Sequence, residues 1–321
     1  MKKWIQRGLW VLATLFVLLN GVAIFHAYRF IHFADSKTER TKSPRDLTFA
    51  QKIAALAFGV SNPRPENHAV PAGGYQTIRL NSNVEIECWH IAAENPKGTV
   101  VMFHGFNAAK ASLLDRADVF RELGYNTLLV DFMGSGGSEG NWTTIGFLEA
   151  QQVKTCVDYL TENGEENIYL FGASMGAAAL MKAVSDLGVS PKGIIMECPF
   201  GTMVQTVCVR FRILRAPTFP MAGLLVFWGG MLNGFWAFSH NPADYAKQIT
   251  CPALLLYGAQ DERVSRGEID AVFANLAGPK KLSVYQKAGH GNYLAKYKDA
   301  WTRDVQQLLA EHRHPGRMTG Q

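Results

Sequence analysis

The sequence predicts an α/β protein: a mostly parallel sheet covered by helices on both faces, preceded by an N-terminal transmembrane helix. Three observations predict it. From residue 75 onward, short apolar and β-branched runs alternate with helical patterns, as strand–helix–strand units require. Those runs are continuously apolar rather than alternating, which suits parallel strands buried on both faces. The first thirty residues form a block of their own. Lys2, Lys3 and Arg7 precede a stretch at 8–28 that holds no Lys, Arg, Asp or Glu.

That stretch of about 21 residues, at about 1.5 Å per residue, reaches across a hydrocarbon core of about 30 Å. Trp4, Trp10 and Tyr28 suit the two interfaces, and Arg29 with the charged stretch at 35–46 ends the run. A cleaved signal peptide has a shorter apolar region and a small-x-small site. Here the small residues Gly21, Ala23 and Ala27 are flanked by bulky ones. A helix apolar on every face is rare in a soluble domain. The expectation is an uncleaved single-pass anchor over residues 1–35. Lys2, Lys3 and Arg7 before the helix and Arg29, Lys37, Arg40, Lys42 and Arg45 after it give the positive-inside rule no winner.

Residues 36–73 read as a connector, polar and broken by Pro44, Pro63, Pro65 and Pro71, with a short amphipathic helix within 47–60. The globular domain is expected over 74–314 and a tail over 315–321. It opens with a hairpin of strands 75–80 and 84–90 around Asn81-Ser82-Asn83. Strands follow at 99–103, 126–130, 168–171, 193–196, 253–257 and 281–285, with helices at 111–123 and 147–163 among those between them.

Composition narrows the function. The 321 residues are 48% hydrophobic and 18% charged, which excludes extensive disorder. The net charge of +5 is dispersed, without a dense basic stripe, so nucleic acid is not an expected partner. Cys88, Cys156, Cys198, Cys208 and Cys251 are odd in number, widely spaced and without a CxxC. That argues against a disulfide framework and against a structural zinc site. No obligate protein partner is evident.

The chemistry centres on Gly172-Ala173-Ser174-Met175-Gly176, which follows the strand at 168–171 and opens a helix-prone run. In that position a GxSxG puts the serine on a tight, strained turn. Small residues two before and two after let the neighbouring backbone come close. His104-Gly105-Phe106-Asn107 ends the strand at 99–103, so the backbone N–H groups of Phe106 and Met175 are the candidate oxyanion hole. The side chain of His104 reads as a brace for its loop. Asp261, just after the strand at 253–257, is the candidate acid that orients an imidazole, with Glu262 and Glu197 as alternatives. Gly289-His290-Gly291-Asn292 follows the last strand and supplies the candidate general base, His290. His240, His312 and His314 read as surface residues.

The order Ser174, Asp261, His290, together with HGFN, DFMGSGGSEG, GASMG, the strand-GAQD segment and GHGN, resembles the α/β-hydrolase superfamily. The branch it is most similar to holds lysophospholipase-like, acylglycerol-lipase-like and serine-aminopeptidase-like members. The resemblance covers about residues 75–312 and implies an α/β-hydrolase fold, a Ser-His-Asp acyl-enzyme mechanism and no metal or organic cofactor. Family members often carry Asp-x-Arg-Gly-x-Gly-x-Ser in the loop at 131–138; here Met133 stands in the arginine place. The family also inserts a cap where this chain has residues 201–250. From 216 to 239 that insertion is uncharged and holds Phe219, Phe227, Trp228, Phe235, Trp236 and Phe238. A second span there would put Ser174 and His290 on opposite sides of the membrane, and Pro217, Pro220, Gly229, Gly230 and Gly234 interrupt it. It reads as an apolar lid, either packed as an ordinary cap helix or dipping into the bilayer interface. The expected substrate is a small-molecule or lipid ester, such as a lysophospholipid or acylglycerol. A serine peptidase and a non-catalytic membrane-tethered binding protein are the alternatives.

Overall fold

The computed structural model describes residues 2–42 and 47–311. Expectations for Pro44, Arg45, Asp46, His312, His314 and the tail at 315–321 lie outside the described residues. In chain order the elements are α1 (Lys2–Ile31), α2 (Phe49–Phe58), β1 (Gln76–Asn81), β2 (Glu85–Ile91), β3 (Thr99–Phe103), α3 (Leu114–Glu122), β4 (Asn126–Val130), α4 (Glu149–Glu162), β5 (Ile168–Ala173), α5 (Met175–Asp186), β6 (Gly193–Glu197), α6 (Met203–Leu214), α7 (Met221–Met231), α8 (Pro242–Tyr245), β7 (Ala253–Gly258), α9 (Arg266–Asn275), β8 (Lys280–Tyr285) and α10 (Lys298–Glu311). They form two compact units. One joins Met1–Pro63 with Met203–His240; the other joins Arg64–Thr202 with Asn241–Gln321.

The larger unit is an eight-stranded sheet in the order β1-β2-β4-β3-β5-β6-β7-β8. β2 pairs antiparallel with both β1 and β4, and the remaining pairings are parallel. Every residue of β3, β6 and β7 is buried, which is why their sequences are unbroken apolar runs. The edge strand β1 is mostly exposed and mostly polar. Chain order reverses at β3, which lies between β4 and β5. A reversal of this kind opens a crevice beyond the carboxyl ends of the strands.

The apolar core of this unit gathers Trp89, Phe120, Phe171, Tyr293 and Trp301 among others. Phe120, Phe171 and Trp301 meet edge to face, with ring centroids 5.7–6.3 Å apart. Each such pair adds about 0.5–1.5 kcal/mol beyond its buried area. Predicted and observed strand ends agree to within two residues. The hairpin turn is shifted by one: Asn81 stays in β1, paired with Glu85. The helix expected from 147 starts at Glu149 because the Glu149 carboxylate accepts the N–H groups of Thr144 and Gly146 and ties off the preceding turn. The helix expected from 111 begins with a 3-10 turn over Lys110–Leu113.

In the smaller unit, α1 is 30 residues long and buries only Ala23, Ala27 and Ile31. It is long and apolar enough to cross a membrane. α2 is opened by a reciprocal cap between Thr48 and Gln51. α7 has only 11 residues, about 16 Å of helix, which is too short to cross a bilayer. His240 departs from the surface position expected from the sequence and is fully buried. The reason is the closure of the insertion on itself. The Met203 N–H donates to the His240 carbonyl at 3.0 Å, so the two ends of the insertion meet where His240 sits.

Candidate active site

Ser174 joins β5 to α5 with φ +50° and ψ −106°, a left-handed geometry that costs a non-glycine residue about 1–3 kcal/mol. Its surroundings hold it there. The Ser174 N–H donates to the Glu197 carbonyl at 2.7 Å, and the Ser174 carbonyl accepts the Ala178 N–H at 3.0 Å. The two flanking glycines are a packing requirement. A Cβ on Gly172 would stand 2.6 Å from the Ala177 nitrogen, and one on Gly176 would stand 2.3 Å from the Phe103 carbonyl oxygen.

Ser174, His290 and Asp261 come together at the carboxyl end of the sheet. His290 Nε2 lies 3.1 Å from Ser174 Oγ, and His290 Nδ1 lies 2.7 Å from Asp261 Oδ2. The Asp261 side chain is wholly buried and that of His290 nearly so. The other carboxylate oxygen of Asp261 accepts the N–H groups of Arg263 at 2.8 Å and Val264 at 3.0 Å. Those two bonds fix the carboxylate, and the carboxylate fixes the ring with Nδ1–H donating and Nε2 free to accept from the hydroxyl. The loops carrying the two residues are joined by the Gln260 N–H donating to the Ala288 carbonyl at 2.8 Å.

The alternatives for the acid lie elsewhere. Glu197 is buried, and its oxygens accept from Arg116 Nη2 and Trp301 Nε1, both at 2.8 Å. Glu262 is exposed. Met175 and the loop of Gly105 and Phe106 adjoin the serine. Met175 is the first residue of α5. Phe106 follows Gly105, whose Cβ position lies 3.7 Å from the Ser174 Cβ.

The loop carrying Phe106 is braced from below. His104 is fully buried; its Nδ1–H donates to the Gly105 carbonyl at 2.8 Å and its Nε2 accepts the Phe132 N–H at 3.0 Å. Burial pushes its pKa below the ordinary histidine value, in keeping with a neutral structural ring. Lys110 is fully buried, ion-paired with Asp131 and with Glu87, and set 4.2 Å from the Trp89 ring centre. Burial opposes the charge on Asp131, yet Lys110 outweighs it and holds the carboxyl below its usual range. Met133 is buried, its N–H donating to Gln152 Oε1 at 3.0 Å. A guanidinium does reach this loop, but from a distant residue: Arg64 donates to the carbonyls of Gly136, Ser138 and Gly140.

Sequence reasoning missed one neighbour of the imidazole. Cys198 directly follows β6 with φ +42°, is buried, and places Sγ 3.9 Å from His290 Nε2. The sequence treated it as one unpaired thiol among five; its position directly after a strand, at the same end as Ser174, was the available signal. Burial works against a charged His290, but the Cys198 sulfur and the Asp261 carboxylate overcome it and push the ring up to about 10. The sulfur's electrostatic share requires a thiolate. A neutral Cys198 leaves Asp261 alone pulling against burial. Cys198, Asp261 and His290 also offer ligand atoms within 4.8 Å of one another, a set a thiophilic divalent metal would accept. In the observed geometry the ring nitrogen and the carboxylate oxygen are bonded to each other.

Comparison with known proteins agrees with the topology. The model of the family described as serine aminopeptidase, S33 matches residues 94–228. The Uncharacterized protein YqkD of Bacillus subtilis is 25% identical over 229 residues, 70% of this chain and 75% of its own. Lysophosphatidylserine lipase ABHD12 of Danio rerio is 25% identical over 235 residues, 67% of this chain and 55% of its own. Among solved structures, the Pyrococcus furiosus esterase Pf2001 superposes with a TM-score of 0.64 at 21% identity, covering 80% of this chain and 100% of that one. Est1E from Butyrivibrio proteoclasticus, solved with ferulic acid bound, gives 0.58 at 18% identity, over 73% and 99%. The eight-stranded sheet of this chain therefore has the α/β-hydrolase fold.

Proposed function

We propose that this chain is a membrane-anchored serine hydrolase that cleaves a carboxylic ester, with an acyl or lipid ester such as a lysophospholipid or acylglycerol as the substrate class. The observation that carries the reading is the relay of Ser174 Oγ, His290 and Asp261 at 3.1 and 2.7 Å. In the first step His290 Nε2 takes the hydroxyl proton while Ser174 Oγ attacks the ester carbonyl. The Phe106 and Met175 N–H groups receive the negative charge on the carbonyl oxygen, helped by the N-terminus of α5. His290 returns the proton to the departing alkoxide, which leaves as the alcohol. Water then gives a proton to His290 and attacks the acyl-serine. The carboxylic acid leaves and the proton returns to Ser174.

Asp261 stays ionised throughout and holds the ring while its charge rises and falls. The reaction needs neither metal nor organic cofactor. α1 is the membrane anchor on its length and composition. The lipase name of one relative and the esterase names of the structural neighbours support an ester substrate. The description of the matched family model favours a second reading, a serine peptidase of the aminopeptidase type.

A panel of esters of graded acyl length, run beside an aminoacyl amide series with Ser174→Ala as control, tests the proposal. Ester turnover that rises with chain length and vanishes in the variant is expected. Turnover confined to the amides would transfer the assignment to the peptidase reading.

A further inference from the structure

Within the smaller unit, two contacts measure how the insertion lies along α1. Arg210, on α6, holds its guanidinium 4.9 Å from the ring centre of Phe30. Trp228, on α7, donates its indole N–H to Asn20 Oδ1 at 2.9 Å. Phe30 and Asn20 are ten residues apart on one helix, about 15 Å along its axis. The chain therefore descends along α1 between Arg210 and Trp228. Charge follows the same gradient. Arg29 and Arg210 stand at the level of Phe30, Arg212 and Arg215 follow in the sequence, and residues 216–239 carry no charge.

The contact face fits a dry environment. Asn20, Ala23, Ala27 and Ile31 recur at helical spacing on one side of α1, and the last three are buried. Asn20 also donates its amide to the Phe16 carbonyl at 2.8 Å. In hydrocarbon a lone indole N–H or amide costs several kcal/mol, on the order of a lost hydrogen bond or more. Here each satisfies the other. The turns at both ends of α7 keep their backbone bonded: the Ala222 N–H donates to Thr218 at 2.7 Å and the Phe235 N–H to Gly230 at 3.1 Å. Outward, Phe219 is 89% exposed, Trp236 55% and Met231 52%. An apolar surface of that kind marks a contact with lipid or protein, and the depth along α1 selects lipid. At 11 residues α7 is about half a bilayer core in length. The Met203–His240 backbone bond returns the chain to the side it left.

We propose that α7 and its flanking turns are a re-entrant membrane segment. It is sunk beside α1 among the acyl chains of one leaflet and pinned there by Asn20 and Trp228, with Arg210, Arg212 and Arg215 at the phosphate level. The proposal rests on the reading of α1 as an anchor and adds a second membrane contact to it.

The test uses the full chain reconstituted in phosphatidylcholine–phosphatidylglycerol vesicles. A lipid-dissolved carbene precursor is photolysed and the adducts are mapped by peptide mass spectrometry. Adducts on Phe219, Met231 and Trp236 at a density within about threefold of residues 8–28 are the expected result, because both stretches then face acyl chains. Dense labelling of 8–28 with loss of labelling at 216–239 overturns the re-entrant segment and leaves the anchor standing. Absence of adducts from both stretches overturns the anchor reading as well. A second readout takes the fluorescence difference between the wild type and Trp228→Phe. Quenching of that difference by chain-brominated lipid is expected, and quenching by aqueous iodide instead contradicts the proposed depth.

Discussion

Cys198 Sγ lies 3.9 Å from His290 Nε2, the same ring nitrogen that faces Ser174 Oγ at 3.1 Å. The proposed base therefore has a sulfur on the edge it must use. The ring is pushed up to about 10 by Cys198 and Asp261 against the opposing effect of burial. A base must be neutral to accept a proton, so activity rises as pH rises through the ring's pKa. Cys198→Ala removes one of the two raising influences. The acid limb of the kcat/KM profile is expected to move to lower pH. Superimposable limbs in the wild type and variant would show that the sulfur has no hold on the ring.

Asp261→Asn tests the other influence. The amide cannot stabilise the imidazolium and admits the wrong tautomer, so kcat is expected to fall on the order of 10⁴-fold. There is also a stability signature. A histidine raised from 6.5 to about 10 in the fold stabilises it fully below pH 6.5, and that contribution is lost as pH rises through about 10. The stability gap between wild type and Asp261→Asn is therefore expected to be widest below pH 6.5 and to narrow toward pH 10 in denaturant titrations. A gap that widens with pH would reverse the assigned sign.

Gly176→Ala tests the packing that strains the serine. The added Cβ meets the Phe103 carbonyl oxygen at 2.3 Å, and a backbone atom cannot swing away. Overpacking of this order destabilises by about 1–3 kcal/mol, and the displaced turn is expected to lose most of its activity. Wild-type melting together with wild-type turnover is the contrary result.

Lys110→Met removes the cation under the Phe106 loop. Asp131 is then buried without its ion pair, at an expected cost of about 3–5 kcal/mol. The depressed Asp131 pKa means that the pair stabilises above the ordinary carboxyl range and is lost as pH falls through the shifted value. The variant's deficit in urea denaturation is therefore expected to be large at neutral pH and to shrink in strong acid. A deficit independent of pH would assign the loss to packing alone.

The strands were legible because burial on both faces leaves one signature, and β3 and β4 are found at the predicted residues. Helix starts were less legible, since the side chains that set them act from a distance. Glu149 closes its own N-terminal turn through Thr144 and Gly146, which no local propensity encodes. At the candidate site, Asp261 and Glu197 both follow or end strands, so order along the chain left rivals. Separation came from Arg116 and Trp301, which bind Glu197. His240 misled because a polar residue at the end of an apolar segment reads as an exit to solvent. Its burial follows from the closure of the insertion at Met203. Arg64 and Cys198 act over long sequence separations: nothing next to Arg64 marks the loop it meets, and for Cys198 only its place after a strand end pointed to the site.

The most direct measurement is the site of covalent modification by a fluorophosphonate, mapped by mass spectrometry on the full chain in detergent and compared with Ser174→Ala. A single phosphonylated peptide carrying the adduct on Ser174, absent from a variant with unchanged melting, is the predicted result. An adduct at another residue, or equal labelling of the two proteins, contradicts the account.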